Sequence, residues 1–264
     1  MKRSIITIPV DKIHEGLRQG AQDLVAVEEP LQIRLGGRDI AITMRTPGHD
    51  RELAAGFLFA EGILRDANQI AEIVEDERGA IHVLPAEGVQ IDVDSLVRNF
   101  HVTSSCGVCG RTSIDSLRAA GCATLRRDVP CIDTRILREL PRKLREAQAV
   151  FEHTGGLHAA GLFNASGMLI AVREDVGRHN AVDKLVGAAF LENRLPLDEH
   201  ILMLSGRISF ELVQKALMAG IPIVAAIGAP SSLAVETALR FGMTLVGFLR
   251  DDRCNIYAGN SRIT

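Results

Sequence analysis

Residues 201–249 read ILMLSGRISFELVQKALMAGIPIVAAIGAPSSLAVETALRFGMTLVGFL. Apolar runs at 201–204, 223–227 and 243–249 are separated by two stretches with helical spacing. In the first stretch Ile208, Leu212, Val213, Ala216 and Leu217 share a face, and Gly220 and Pro222 stop it. The second covers 231–241 and stops at Gly242. Strands alternating with helices require right-handed crossovers and a sheet covered on both faces. Working back, 157–163 and 168–172 flank Asn164-Ala165-Ser166-Gly167 as a hairpin. A helix from Asp175 then turns Val182, Leu185, Val186 and Ala189 inward. This half of the chain is expected to be α/β, a mostly parallel sheet with helices on both faces.

The first half mixes strands and short helices. Leu31, Ile33 and Leu35 alternate, Gly36-Gly37 turns, and Ile40, Ile42 and Met44 alternate again, which predicts a hairpin. Thr46-Pro47-Gly48 breaks the sheet. A helix from Asp50 places Leu53, Phe57, Ala60 and Leu64 on one face. Residues 81–84 and 89–93 are expected to pair around Glu87-Gly88, and 99–113 form a polar, glycine-rich loop. A basic, helix-prone stretch from 133 to 148 is interrupted by Pro141. The boundary is placed here, giving an N-terminal α+β part at 1–132 and an α/β domain at 133–264.

Composition narrows the function. The chain has 264 residues, 30 Lys and Arg against 33 Asp and Glu, and a net charge of −3. Near-balanced charge argues against a generic polyanion binder. With no Trp, one Tyr and nine Phe, a base-stacking nucleic-acid platform is disfavoured too. The longest apolar stretch, 221–229, is far shorter than the ~20 residues of a membrane helix. The apolar start at 5–10 is too short for a signal-peptide core. No nucleic acid, no membrane and a cytoplasmic location are expected. There, the five cysteines (106, 109, 122, 131 and 254) are candidates for metal or thiol chemistry, or core residues.

Cys106-Gly107-Val108-Cys109 is the sharpest local signal. Such a pair can share a metal, close a strained disulfide or pass a sulfur. Cys122 and Cys131 make a poor second half of a four-cysteine zinc site. Arg111 and the amides at Gly107 and Gly110 favour a reactive thiolate. In Thr154-Gly155-Gly156-Leu157-His158-Ala159-Ala160, the His-Ala-Ala lacks the Glu that zinc deaminases use as proton shuttle. His158 in such a place is more often a hydrogen-bonded strand residue than a metal ligand. Asp175, His179 and Asp183 can share a helix face, or Asp175 caps the helix while Glu174 pairs with Arg178. Ser205-Gly206-Arg207 and Gly228-Ala229-Pro230-Ser231-Ser232 each end a strand and open a helix, where amides can hold a phosphate. Phe248, Leu249, Arg250, Asp251, Asp252 and Arg253 follow the last run. Their arginines can clamp phosphates and their carboxylates can accept from a guanine edge, or they form a solvated charged turn.

These motifs, with Thr46-Pro47-Gly48, Glu52-Leu53-Ala54 and Ser105 through Gly110, occur in one order along most of the chain. In this the sequence resembles the formate dehydrogenase accessory sulfurtransferases, sulfur carriers for the molybdenum cofactor. The resemblance implies a cytidine-deaminase-like sheet without the zinc chemistry. It implies that Cys106 carries a persulfide with Cys109 assisting. It implies that Phe248 through Arg253 contact molybdenum bis(molybdopterin guanine dinucleotide). A homodimer, a cysteine desulfurase as donor and the formate dehydrogenase apoenzyme as recipient follow from it. The alternative is a non-catalytic cofactor chaperone with a structural or zinc-binding CxxC. A nucleoside or base deaminase is a third reading, already weakened by the missing Glu.

Overall fold

A computed structural model describes residues 4–89, 91, 117 and 122–264. The fold is α/β, as expected. Its larger sheet has six strands: β7 (His158–Asn164), β8 (Leu169–Asp175), β9 (His200–Leu204), β10 (Ile223–Ala226), β11 (Thr244–Gly247) and β12 (Asn255–Ala258). The order is β12-β11-β10-β9-β7-β8. β9, β10 and β11 run parallel, while β7, β8 and β12 join through antiparallel pairs. The sheet is therefore mixed around a parallel centre, because the β7–β8 hairpin and the returning β12 close its two sides.

Alternation along the strands sorts their side chains to two faces. Leu202, Leu204, Val224, Ala226 and Leu245 pack toward α4 (Arg178–Leu191), α5 (Phe210–Met218) and α6 (Ser232–Phe241). Ile201, Met203, Ile223, Ala225 and Val246 pack toward α2 (Thr134–Glu146). Helix α2 runs through Pro141 instead of breaking there. Leu137, Leu140 and Leu144 are all fully buried, and this apolar stripe outweighs the one backbone hydrogen bond that proline removes. Asp133 caps α2 by accepting from the Arg135 amide at 2.7 Å.

The smaller sheet contains β3 (Glu29–Leu35), β4 (Arg38–Arg45), β5 (Ile70–Glu75) and β6 (Ile81–Pro85), ordered β4-β3-β6-β5. Gly36 and Gly37 turn the β3–β4 hairpin at φ 55° and 82°, values that cost glycine nothing. A register shift at Ile33/Arg34 changes the parity of β4. Ile42 and Met44 consequently face solvent, while Arg45 points inward to Asp50. The expected pairing of 81–84 with 89–93 falls in part on residues 90, 92 and 93, which lie outside the described residues. Both edges of β6 are taken, by β3 and by β5, and Val89 belongs to no strand. A further hairpin, β1 (Ile5–His14) with β2 (Leu17–Ala26), forms a separate two-stranded sheet.

Helix α1 (Asp50–Ala60) covers the smaller sheet and crosses α4, the inner helix of the larger one. Their contact is nearly backbone on backbone. A Cβ on Gly56 would stand 1.9 Å from the Asp183 carbonyl oxygen, and one on Gly187 1.9 Å from that of Glu52. Glu52 also reaches β8, where Arg173 donates to it at 2.5 and 2.9 Å. Gly56→Ala is expected to destabilise the chain by roughly 1–3 kcal/mol through overpacking. An open helix would instead gain about 1 kcal/mol from the same change. Urea denaturation of the whole chain decides it, and a variant as stable as its parent would refute this close crossing.

Candidate functional site

The C-terminal ends of β8, β9, β10 and β11 and the starts of β7 and β12 lie along one edge of the larger sheet. This edge gathers His158, Asp175, Ser205, Ile227 and Phe248, from motifs far apart in sequence. In open α/β sheets such edges are where ligands dock. Its loops are zipped together by their own backbones. Gly228 N donates to Gly206 O, Ile208 N to Ala229 O and Ser231 N to Ile208 O, at 2.9–3.0 Å. Several amides expected to hold phosphate are thus already used. Ser231 caps α6 from its side chain. Glycine is needed at 228, where a Cβ would lie 2.7 Å from Gly206 O.

Beside these loops opens a cavity of about 440 Å3, lined by Gln148, Phe151, Leu157, His158, Ser205 and Ile227, with Arg145, Gly155 and Gly156. Helix α2 and the short α3 (Ala149–Thr154) provide one wall, with Gln148 between them. The Arg145 guanidinium lies 4.1 Å over the Phe151 ring, a cation–π contact. Ser205 Oγ accepts from the Ala159 amide at 2.8 Å, which leaves its own proton to donate. His158 is half-buried. Burial first, then the nearby Arg178 and Arg207 charges, push its pKa below the ordinary imidazole value. The ring is therefore neutral near pH 7.

The 174–183 motif is structural in most of its parts. Glu174 does not pair with Arg178. It accepts from the amides of Val150 and Phe151 at 2.9 and 2.8 Å and so anchors the start of α3. Asp175 is fully buried against Lys184 at 2.7 Å, and it also accepts from Thr46 N, Gly177 N and Asn180 Nδ2. Asp183 is buried against Lys215 at 2.7 Å. Asp175, His179 and Asp183 therefore have separate partners and do not converge. Nothing in the sequence analysis singled out Gln148, Lys184 or Lys215, because their weight comes from burial.

Phe248 stands at φ 51° with its ring exposed. Leu249 is fully buried in the core under α2. Arg250 N donates to Arg253 O, and the Arg250 guanidinium reaches the carbonyls of Ile227 and Leu249, each at 2.8 Å. Arg138 of α2 donates to the Asp251 carbonyl, while the side chains of Asp251, Asp252 and Arg253 are exposed. This turn is thus held to the same edge as the cavity, next to Ile227. Cys106 and Cys109 lie outside the described residues. Among the described residues no three of His, Cys, Asp and Glu are grouped to hold a metal. No helix there is long and apolar enough to cross a membrane.

His179, on α4, lies 3.1 Å from Ser209 Oγ and 3.9 Å from Glu211. Burial, then Lys215, Arg178 and His158, against the opposing Glu211, lowers its pKa from 6.5 to about 4. Between those values the unfolded chain takes up a proton that the folded chain refuses. This contribution to stability is present above pH 6.5 and lost as pH falls toward 4. His179→Gln is expected to flatten the fall in urea midpoint between pH 7 and pH 5. Parallel falls in variant and parent would contradict this assignment.

A family model described as the FdhD/NarQ family matches residues 26–264. A sulfur carrier protein FdhD of Streptomyces avermitilis is 50% identical, with 96% of this chain and 94% of that one aligned. The protein of that name from Mycobacterium tuberculosis is 48% identical, covering 92% of each chain. That of Sulfolobus acidocaldarius is 45% identical over 97% of each. A crystal structure of a candidate formate dehydrogenase accessory protein from Desulfotalea psychrophila superimposes with a TM-score of 0.80 at 30% identity. It covers 99% of this chain and 100% of its own. Motif order, sheet and matched length agree: the chain belongs to the FdhD/NarQ family.

Proposed function

We propose that this chain is a cytoplasmic sulfur carrier that serves formate dehydrogenase, with Cys106 as the sulfur-bearing residue. The observation that carries the reading is family membership over 26–264, a span that includes Cys106-Gly107-Val108-Cys109. Relatives at about half identity are named sulfur carriers, and the similar solved structure is described as a formate dehydrogenase accessory protein.

The chemistry is thiol exchange. The Cys106 thiolate attacks the outer sulfur of a persulfide on a cysteine desulfurase. The donor's S–S bond breaks, its cysteine leaves as thiolate, and Cys106 holds the sulfane sulfur with no net redox change. Release as sulfide needs two electrons. Cys109 supplies them by attacking the inner sulfur of the Cys106 persulfide. A Cys106–Cys109 disulfide forms, hydrosulfide leaves for the molybdenum, and an external thiol reductant restores the pair.

The substrate in this reading is molybdenum bis(molybdopterin guanine dinucleotide), received before its insertion into the formate dehydrogenase apoenzyme. The sheet edge is its docking place, with Phe248, Leu249, Arg250, Asp251, Asp252 and Arg253 along it. The exposed Phe248 ring offers a stacking surface, and exposed Arg253 a charge for phosphate. Arg250 and Leu249 hold the turn in place. A cavity of about 440 Å3 accommodates one end of so large a molecule. The working assembly is a homodimer.

Incubation with a cysteine desulfurase and cysteine, followed by mass spectrometry, tests the reading. An added mass of about 32 Da, one persulfide sulfur, is expected on Cys106, and Cys106→Ala should lose both the adduct and the maturation of formate dehydrogenase. A Cys106→Ala chain that still matures an active enzyme defeats it. Stoichiometric zinc with no adduct would favour a cofactor chaperone.

A further inference from the structure

The β1–β2 hairpin projects from the rest of the fold. At its base Ala26 stands against Gly156, just past α3, while residues 11–20 are exposed throughout. Leu17 and Ile13 are 77% and 67% exposed. The register puts Ile6, Ile8, Val10, Ala21 and Val25 on one face, since side chains alternate along each strand. A lone two-stranded hairpin is marginally stable at best in water, and three or more strands with an apolar face are needed for independent stability. Two ten-residue strands so placed call for further strands.

The two edges of the hairpin differ. In an antiparallel pair, opposite residues alternate between exchanging both hydrogen bonds and exchanging none. Val27 N donates to Ser4 O at 2.9 Å, and the register continues in that phase through Ile6 with Val25, Ile8 with Asp23 and Val10 with Ala21. The amides of Arg18, Gly20, Gln22 and Leu24 therefore point away from β1, and the Pro9 nitrogen points away from β2. On β1 that proline removes the central outward donor and blunts the edge. On β2 the row is unbroken, and none of the four amides meets an acceptor among the described residues. Gly20 sits within this row. Its φ is not positive, and a Cβ there would meet nothing within 4 Å. Neither conformation nor packing among the described residues calls for glycine. A glycine inside a strand marks the close approach of another backbone.

We propose that the outer edge of β2 pairs antiparallel with β2 of a second copy of this chain, giving a four-stranded sheet across a twofold axis. The inference rests on the homodimer of the reading above and deepens it by naming the strand that joins the copies. A twofold axis makes such an edge its own complement, because each outward amide meets an outward carbonyl of the same strand in the other copy. The charges agree. Lys12 and Arg18 are neutralised within the hairpin by Asp23 and Asp11, at 3.8 and 3.7 Å, which leaves Glu15 at the tip. So balanced an arm exerts little field to select an acidic or a basic partner.

Sedimentation equilibrium and residue-resolved amide exchange of the whole chain test it. The chain should be dimeric. The hairpin by itself protects the amides of residues 17, 19, 21, 23 and 25, whereas a paired edge protects those of Gly20, Gln22 and Leu24 as well. Gln22→Pro removes one outward N–H and, like Pro9 opposite it, spares the bonds within the hairpin. It should weaken the dimer about tenfold or more, because each copy loses a hydrogen bond. Gln22→Ala keeps the amide and should dimerise like its parent. A wild-type dimer whose Gly20, Gln22 and Leu24 amides exchange freely overturns the proposal and leaves the homodimer standing, and this pattern decides the matter even where proline disturbs the hairpin. A Gln22→Pro chain that dimerises as tightly as its parent overturns it too. So does a Gln22→Ala chain weakened as much as the proline variant. A wild-type chain that stays monomeric defeats the homodimer together with the proposal.

Discussion

The crossing of α1 over α4 at Gly56 and Gly187 fixes most of what surrounds it. Without Cβ atoms at these two positions, the helix backbones meet and one apolar core extends from Leu31 and Ile33 of the smaller sheet to Leu202 and Val224 of the larger. A single core of this extent packs the two sheets against each other. The crossing also sets the height of α4 above the sheet. That height places Arg178 and His179, at the start of α4, beside His158 and Ser209 at the carboxyl edge of the larger sheet. A side chain at either glycine would lift the helix and move the edge with it.

Close approach leaves little room for water, and two ion pairs are enclosed as a result. Lys184 binds Asp175 and also donates to Thr46 O, in the loop before α1. Lys215 of α5 binds Asp183, the residue before Lys184 on α4. Burial raises the Asp183 pKa, and Lys215 opposes the rise. Enclosed pairs of this kind recover little net stability, because desolvation offsets their attraction. Removing one partner leaves an uncompensated charge, so each pair enforces one arrangement of the helices. Asp175 links the two sheets directly: it ends β8, receives the Thr46 amide and holds α4 through Asn180 and Lys184.

Legibility in the sequence followed locality. The Gly36-Gly37 hairpin and the strand–helix series from 201 to 247 depend on turn residues and periodicity, and both stand in the structure. The flanks of β6 are not legible locally, because its pairing with β5 depends on which edge β3 leaves free. The exposure of Ile42 and Met44 follows from one register shift that no pattern announces. Pro141, a local breaker, loses to three buried leucines. At the site, motif order points to the edge, yet Glu174 takes partners far from the Arg178 that its spacing suggests. In the structure the partners of Glu174 lie 23 and 24 residues away in α3, while Asp175 holds Gly177, Asn180 and Lys184 of the following helix and also Thr46, 129 residues away. Gln148 carried no signal, because a glutamine gains meaning only once its amide is enclosed.

The wall that holds Gln148 is itself built to stay in place. Helix α2 ends at Glu146 and α3 begins at Ala149, so the residue sits in a break where backbone could drift. Two ties prevent this. Glu174, at the end of β8, accepts from the first free amides of α3, a favourable place for a carboxylate because the helix N-terminus is positive. On the other side Leu144 is buried in the core under the sheet. A donor enclosed between a strand end and a packed helix has little freedom to turn toward another partner. The position of the Gln148 amide is therefore a property of the fold.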